Sequence, residues 1–193
     1  MGNEMQSVSF EIRDRGDPSR WEIIVRFLFL IPLYVMFTIS LVILLLFIAS
    51  NFFLTLLFGK RSRKLTEVTA KSAGYVARAF SYFWGATDER PPLTLLEYAP
   101  LTDFRWSYKE RAYRRELPWR ILLFPVYAFA ALVIVLFGTC VVGFLQLLLI
   151  LLFGKRQRGL ASLAEDGARL LCQIYCYVFL VSDERPWFSG SSF

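Results

Sequence analysis

Histidine is absent from this 193-residue chain, and cysteine occurs three times. Without imidazole there is no ordinary general base for a serine or cysteine nucleophile, and the commonest nitrogen ligand for zinc is missing. No Gly-x-Ser-x-Gly elbow occurs, and no carboxylate pair sits at metal-ligating spacing on an apolar helix. Cys140 lies inside an apolar run, whereas Cys172 and Cys176 are four apart on a predicted helix. With no second cysteine pair a sulfur-only metal site lacks ligands, so the three thiols read as small buried side chains. No catalytic, cofactor-binding or metal-binding residue is predicted, and the chain is read as non-enzymatic.

Charge is missing from two long stretches, Phe27 to Gly59 and Ile121 to Gly154. Soluble core helices and strands are broken by polar positions much sooner, so a chain that is 56% apolar and carries two such runs is predicted to reside in a membrane. Both runs exceed the roughly 7–15 apolar residues of a cleaved signal peptide. The net charge of +6 is concentrated beside the apolar runs, as expected for lysines and arginines facing anionic head groups rather than nucleic acid.

What the chain does have, it has twice. Phe58-Gly59-Lys60-Arg61-Ser62-Arg63-Lys64-Leu65 returns as Phe153-Gly154-Lys155-Arg156-Gln157-Arg158-Gly159-Leu160, and Thr87-Asp88-Glu89-Arg90-Pro91 returns as Ser182-Asp183-Glu184-Arg185-Pro186. Both motifs are displaced by 95 positions (153 − 58 and 182 − 87). Each copy reads as a long apolar helix, a basic tip, an amphipathic helix (about 65–86 and 160–181) and an acidic-arginine exit. Along the amphipathic helices, Glu67, Lys71 and Arg78, and then Glu165, Asp166, Arg169 and Gln173, gather into one polar stripe. Such a helix lies in the interface or returns across the membrane with its stripe turned inward.

At 1.5 Å per residue the first apolar run is about 50 Å long, more than the roughly 30 Å of hydrocarbon, so it must tilt, kink or fold back as a shallow re-entrant hairpin. The absence of Gly and Pro between Leu33 and Phe58 favours one long helix, whereas Gly138 and Gly143 leave the second run open to either shape. Pro32 and Pro125 are early kink positions. Arg20, Trp21 and Arg26 are expected at the lipid interface, as are Tyr82 and Tyr177.

The predicted division is a polar segment over 1–18, a membrane repeat over 19–93, a polar connector over 94–117, a second repeat over 118–188 and a tail over 189–193. Val8 to Ile12 alternates as a short strand would, Asp17-Pro18-Ser19 reads as a turn and helix cap, 93–98 as extended chain, and 109–116 as a charge cluster with Tyr113 among it. Cations flank every end of the two apolar runs. That pattern suits an all-cytoplasmic re-entrant topology as well as spanning hairpins.

The candidate contact residues for lipid head groups or a partner are Lys60, Arg61, Arg63, Lys155, Arg156 and Arg158 at the tips. Asp88, Glu89, Arg90, Asp183, Glu184 and Arg185 join them at the exits. Asn51 and Gln146 also match at the 95-residue offset, and an amide within an apolar run needs a partner, so these two are the candidate intramembrane polar pair.

At these motifs the chain resembles a family of bacterial membrane proteins known as domain of unknown function 4389. The resemblance rests on Ser19-Arg20-Trp21, Ile31-Pro32, the Gly154 to Leu160 tip, Thr87-Asp88-Glu89-Arg90-Pro91-Pro92 and Ser182-Asp183-Glu184-Arg185-Pro186-Trp187-Phe188. It departs from the family pattern at Lys64, where the second copy has Gly159, and at Trp187, where the pattern has a second proline. The resemblance implies tandem copies in a bacterial inner membrane and implies no activity.

The expectation is an all-α integral membrane protein of two tandem helical hairpins. It needs no cofactor and binds no nucleic acid. Its partners would be the bilayer, anionic lipids above all, and a membrane protein or a second copy of itself. The leading function is a scaffold or accessory subunit. The alternative is a small transporter or channel component with Asn51, Gln146, Arg78 and Gln173 along a polar path.

Overall fold

A computed structural model of the chain describes residues 8–12, 18–92, 102–109 and 116–186. The extended segment read at 93–98, Asp17 of the predicted turn, Tyr113 with most of its charge cluster, and Trp187-Phe188 lie outside the described residues. The elements are strand β1 (Val8–Ile12), helices α1 (Arg20–Phe58) and α2 (Arg63–Phe83), strand β2 (Thr102–Trp106), helix α3 (Glu116–Phe137), a π-helical turn (Gly138–Gly143), and helices α4 (Phe144–Phe153) and α5 (Arg158–Val178). The chain is mostly helical and built of two tandem copies, but it is not all-α. β1 pairs antiparallel with β2, placing Phe10 opposite Phe104 and Val8 opposite Trp106.

Both long apolar runs are helices rather than folded-back hairpins, and each stops at the glycine of its tip. Gly59 and Gly154 adopt left-handed φ values of 68° and 65°, and their N–H groups bond to Thr55 O and Ile150 O. A side chain there would meet its own carbonyl, so glycine ends both helices. Pro32 and Pro125 lie inside their helices. Among the described residues one unbroken helical stretch, Glu116–Phe153, is long and apolar enough to cross a membrane.

The elements stack as three layers. In the middle, α2 and α5 pack through small residues, including Ala70, Ala73 and Ala77 on one helix and Ala164, Ala168 and Cys172 on the other. Small side chains at helical spacing let two backbones approach closely. The strand pair covers one side of this layer, with Val8 and Phe10 in the core. It is held by the polar stripe of α5: Ile12 N donates to Glu165 Oε1 (3.2 Å), and Arg169 Nε donates to Phe10 O (3.1 Å). The other side carries α1 and the Glu116–Phe153 stretch.

Trp84 is the largest fully buried side chain among the described residues, with its indole N–H donating to Thr139 Oγ1 at 3.1 Å. A Cβ on Gly138 would sit 2.4 Å from the indole ring, so the π-helical turn and the tryptophan require a glycine there. The turn also explains a change of spacing between the copies. Glu22 and Arg26 correspond to Glu116 and Arg120 at an offset of 94 (120 − 26), whereas the tips and exits are offset by 95. One added residue in an α-helix would rotate everything beyond it by about 100°. Accommodated in a wider π turn, it leaves both ends facing as in the first copy.

Candidate functional site

Each exit aspartate is the hub of a buried cluster. Asp88 takes a hydrogen bond from Arg26 of its own repeat, and its Oδ1 lies 2.9 Å from the Arg156 guanidinium of the other repeat's tip. Asp183 receives Arg120 of its own repeat at 2.7 Å and Arg61 of the opposite tip. The tips therefore cross over, each closing on the other copy's exit. Such reciprocity, in which Arg61 meets Asp183 and Arg156 meets Asp88, is what a two-fold relation between the repeats produces. The repeats must then run antiparallel to one another.

The surroundings repeat as well. Arg26 also donates to Thr87 O (2.8 Å), and Arg120 donates to Tyr177 O (2.6 Å) and Ser182 O (2.8 Å). The guanidiniums stand over the Tyr82 and Tyr177 rings, 4.8 and 4.5 Å from their centroids. Tyr82 O–H donates to Glu22 at 2.7 Å, and Tyr177 O–H to Glu116 at 3.4 Å. Each glutamate closes an outer pair with the exit arginine, Glu22 with Arg90 and Glu116 with Arg185. Thr87 Oγ1 and Ser182 Oγ accept from the N–H groups of Glu89 and Glu184, which fixes the turn that presents each aspartate.

Burial pulls the Arg26 and Arg120 guanidiniums below their ordinary range, and the carboxylates of Asp88 and Asp183 act against that shift. Arginine stays charged in proteins, so these are fixed ion pairs rather than proton-transfer groups. Burial and the hydrogen bond to Glu22 raise the Tyr82 hydroxyl far above neutrality. Clusters of this chemistry hold helices in place.

The structure divides the residues selected from the sequence. Arg61, Arg156, Asp88 and Asp183 come together in the two clusters, and Arg61 and Arg156 have side chains at most 6% exposed. Arg90 and Arg185 form the outer pairs, while Lys60, Arg63, Lys155, Arg158 and Glu184 are exposed and Glu89 is half-buried. Asn51 and Gln146 are fully buried, and no amide atom of either finds a hydrogen-bond partner among the described residues. They do not bond to each other.

Arg26, Tyr82 and Tyr177, expected at the lipid interface, are buried instead. The reason is that each has a specific polar partner inside the fold. Arg120, Glu22 and Glu116 were not singled out from the sequence, although their 94-residue spacing was a usable signal.

Beside the second cluster, an apolar groove of about 740 Å³ runs between α1 and α3. Leu45, Phe52, Ile121, Phe124 and Leu132 line it, and Arg120 stands at its wall.

A family model described as Domain of unknown function (DUF4389) matches the chain twice, over residues 20–94 and 114–190. The chain belongs to this family. The two matches coincide with the two copies whose tips and exits interlock, so a DUF4389 unit here runs from just before its long helix to just after its aspartate hub. Neither a curated protein nor a solved structure matches the chain.

Proposed function

We propose that this tandem DUF4389 protein is a non-enzymatic membrane protein, a scaffold or accessory subunit that sits in the bilayer and presents the exposed cations of its tips to anionic head groups or to a partner. One observation carries the reading. Among the described residues, every exposed large hydrophobic side chain except Leu163 lies on α1 or on Glu116–Phe153. On α1 these residues recur as Trp21, Ile24, Phe27/Leu28, Ile31, Tyr34/Val35, Ile39, Val42, Leu45/Leu46, Phe53 and Leu56/Leu57 along one side of the helix, with Phe58 off that stripe at the helix end. An apolar surface of this extent far exceeds what a monomer exposes to water. The exposed cations Lys60, Arg63, Lys155 and Arg158 flank it at both ends, as anionic head groups would favour.

The experiment is a carbonate wash of membranes containing the protein, followed by analysis of lipids retained on gentle purification. The expected result is a protein that stays with the membrane and is enriched in anionic lipid. Replacing Lys60, Arg63, Lys155 and Arg158 together by glutamine should abolish the enrichment without releasing the protein. Recovery in the wash supernatant would sink the membrane reading.

The unpartnered amides of Asn51 and Gln146 favour a second reading, a transport component. Solute or ion flux in liposomes, lost on Asn51→Leu with Gln146→Leu, would support it against the scaffold.

A further inference from the structure

The layer order bears on how the molecule meets the bilayer. Gly74 lies near the middle of α2, and a Cβ there would come within 2.8 Å of the Phe104 ring, so β2 crosses over the helix at half its length. Glu165 and Arg169, well inside α5, hold the backbone of β1 at the same level. A 21-residue helix is about 32 Å long, close to the thickness of the hydrocarbon. Were α2 and α5 to span it, the strand pair would be carried to the bilayer centre.

The strands do not suit that place. Glu11 and Arg105 are exposed on the sheet, and the Arg105 side chain, paired with Asp103 at 2.7 Å, is 73% exposed. Glu165 and Arg169 bond the outer backbone of β1, but among the described residues no strand other than β1 lies beside β2, and unpaired backbone edges do not occur against lipid. The crossed clusters raise the same difficulty from another direction. Because the repeats run antiparallel, a spanning bundle would have one basic tip on each side of the membrane, against the usual bias of lysine and arginine to the cytoplasmic side.

Turned through a right angle, the molecule meets no such conflict. We infer that it lies in the plane of a single leaflet, with the apolar stripes of α1 and Glu116–Phe153 among the acyl chains and the β1–β2 sheet in water on the same side as both tips. This rests on the membrane residence proposed above and specifies its geometry. The length of α1 is then no constraint, because a helix parallel to the surface need not match the bilayer thickness. Trp21 and Trp119, 77% and 52% exposed and each near the start of its long helix, share one depth as interfacial anchors. The groove between α1 and α3 opens toward the acyl chains.

Accessibility tests the arrangement. Cysteines placed one at a time at Ser62, Ser162 and Ser107, in a chain with Cys140→Ser whose remaining Cys172 and Cys176 are buried, are treated with a membrane-impermeant maleimide from either side of sealed vesicles. All three should label from one side only. Labelling of Ser62→Cys and Ser162→Cys from opposite sides would overturn the in-plane geometry. Trypsin applied to the unsubstituted protein gives the same answer without any variant. From one face it should cut at both tips, after Arg63 or Lys64 and after Arg158, and from the other face at neither; one tip cut from each face would overturn the inference.

The carbonate wash keeps the two proposals separate. A protein that leaves the membrane refutes residence, whereas one that stays and labels from both sides refutes only the orientation. A detergent-free soluble oligomer, its apolar faces covered by second copies, would refute both.

Discussion

The two repeats share a circuit of contacts and differ in how tightly it is filled. In the first, Trp84 is fully buried against Gly138 and Gly143 of the π-helical turn, and Gly85 takes the left-handed conformation at φ 76°. In the second, the equivalent positions 95 residues on are Phe179 and Leu180, the leucine in the same conformation at φ 62°. Phe179 and Leu180 border the open groove. The ion-pair hubs are kept on both sides of the two-fold relation, while the packing beside them is free to vary. Aspartate hubs therefore define the DUF4389 unit in this chain, and the neighbouring aromatic tunes it.

If the hubs are equivalent, removing either should do equal and large damage. Asp88→Ala and Asp183→Ala each strand two mostly buried guanidiniums. Breaking a buried pair in this way costs about 3–5 kcal/mol. Chemical denaturation of the detergent-solubilised protein should show losses that match within experimental scatter. A loss confined to one variant would break the comparison and make one cluster the true latch.

Packing should separate the copies. Trp84→Ala opens a cavity in a closed site and is expected to cost about 3–5 kcal/mol. Phe179→Ala, at the half-open groove, should cost at most about 2 kcal/mol. Gly138→Ala is the converse test, since its methyl group would strike the indole ring and should destabilise through overpacking by about 1–3 kcal/mol. Equal losses for Trp84→Ala and Phe179→Ala would mean that the groove is filled in the folded protein.

The backbone offers a finer distinction at the residue after the aromatic. Gly85→Ala must place a Cβ in left-handed conformation, 3.0 Å from Gln146 Cγ, and is expected to cost about 1–2 kcal/mol. Leu180 already bears that strain. Leu180→Gly should relieve about 1 kcal/mol of it while losing about 1.5–3 kcal/mol of burial, for a small net loss in a thermal melt.

Much of this was legible in the sequence, and the illegible part has a physical cause. Tips and exits show because they share one offset and one residue order. The strand at Val8–Ile12 shows through its alternation, but its partner does not, because Thr102–Trp106 lies in a charged connector and pairs across 90 to 98 positions (102 − 12 to 106 − 8). The inner ring of the clusters was hidden by one inserted residue. At the 95-residue offset Arg26 aligns with Ile121, and only the π-helical turn brings Arg120 back to the equivalent face. The crossing of the tips was not legible at all. Repeat spacing says which residues are equivalent, not which copy each one closes on.

The smallest expected effect concerns the outer pairs. Burial alone would raise the Glu22 carboxyl, but hydrogen bonds from Arg90 and Tyr82 and the charges of Arg90 and Arg26 hold it below its ordinary 4.5. A carboxyl depressed on folding contributes stability that is complete above its unfolded pKa and is lost as the pH falls through the folded one. Stability should therefore decline below pH 4.5 with a component that Glu22→Gln removes. Arg90 is 51% exposed, so solvent screening keeps that component small, within the range of about 0–1 kcal/mol of surface pairs. The Glu116–Arg185 pair is longer, at 3.3 Å against 3.0 Å. At neutral pH Glu116→Gln should accordingly lower the melting temperature less than Glu22→Gln, and the reverse order would show that the second copy, despite its open groove, holds its outer ring the more tightly.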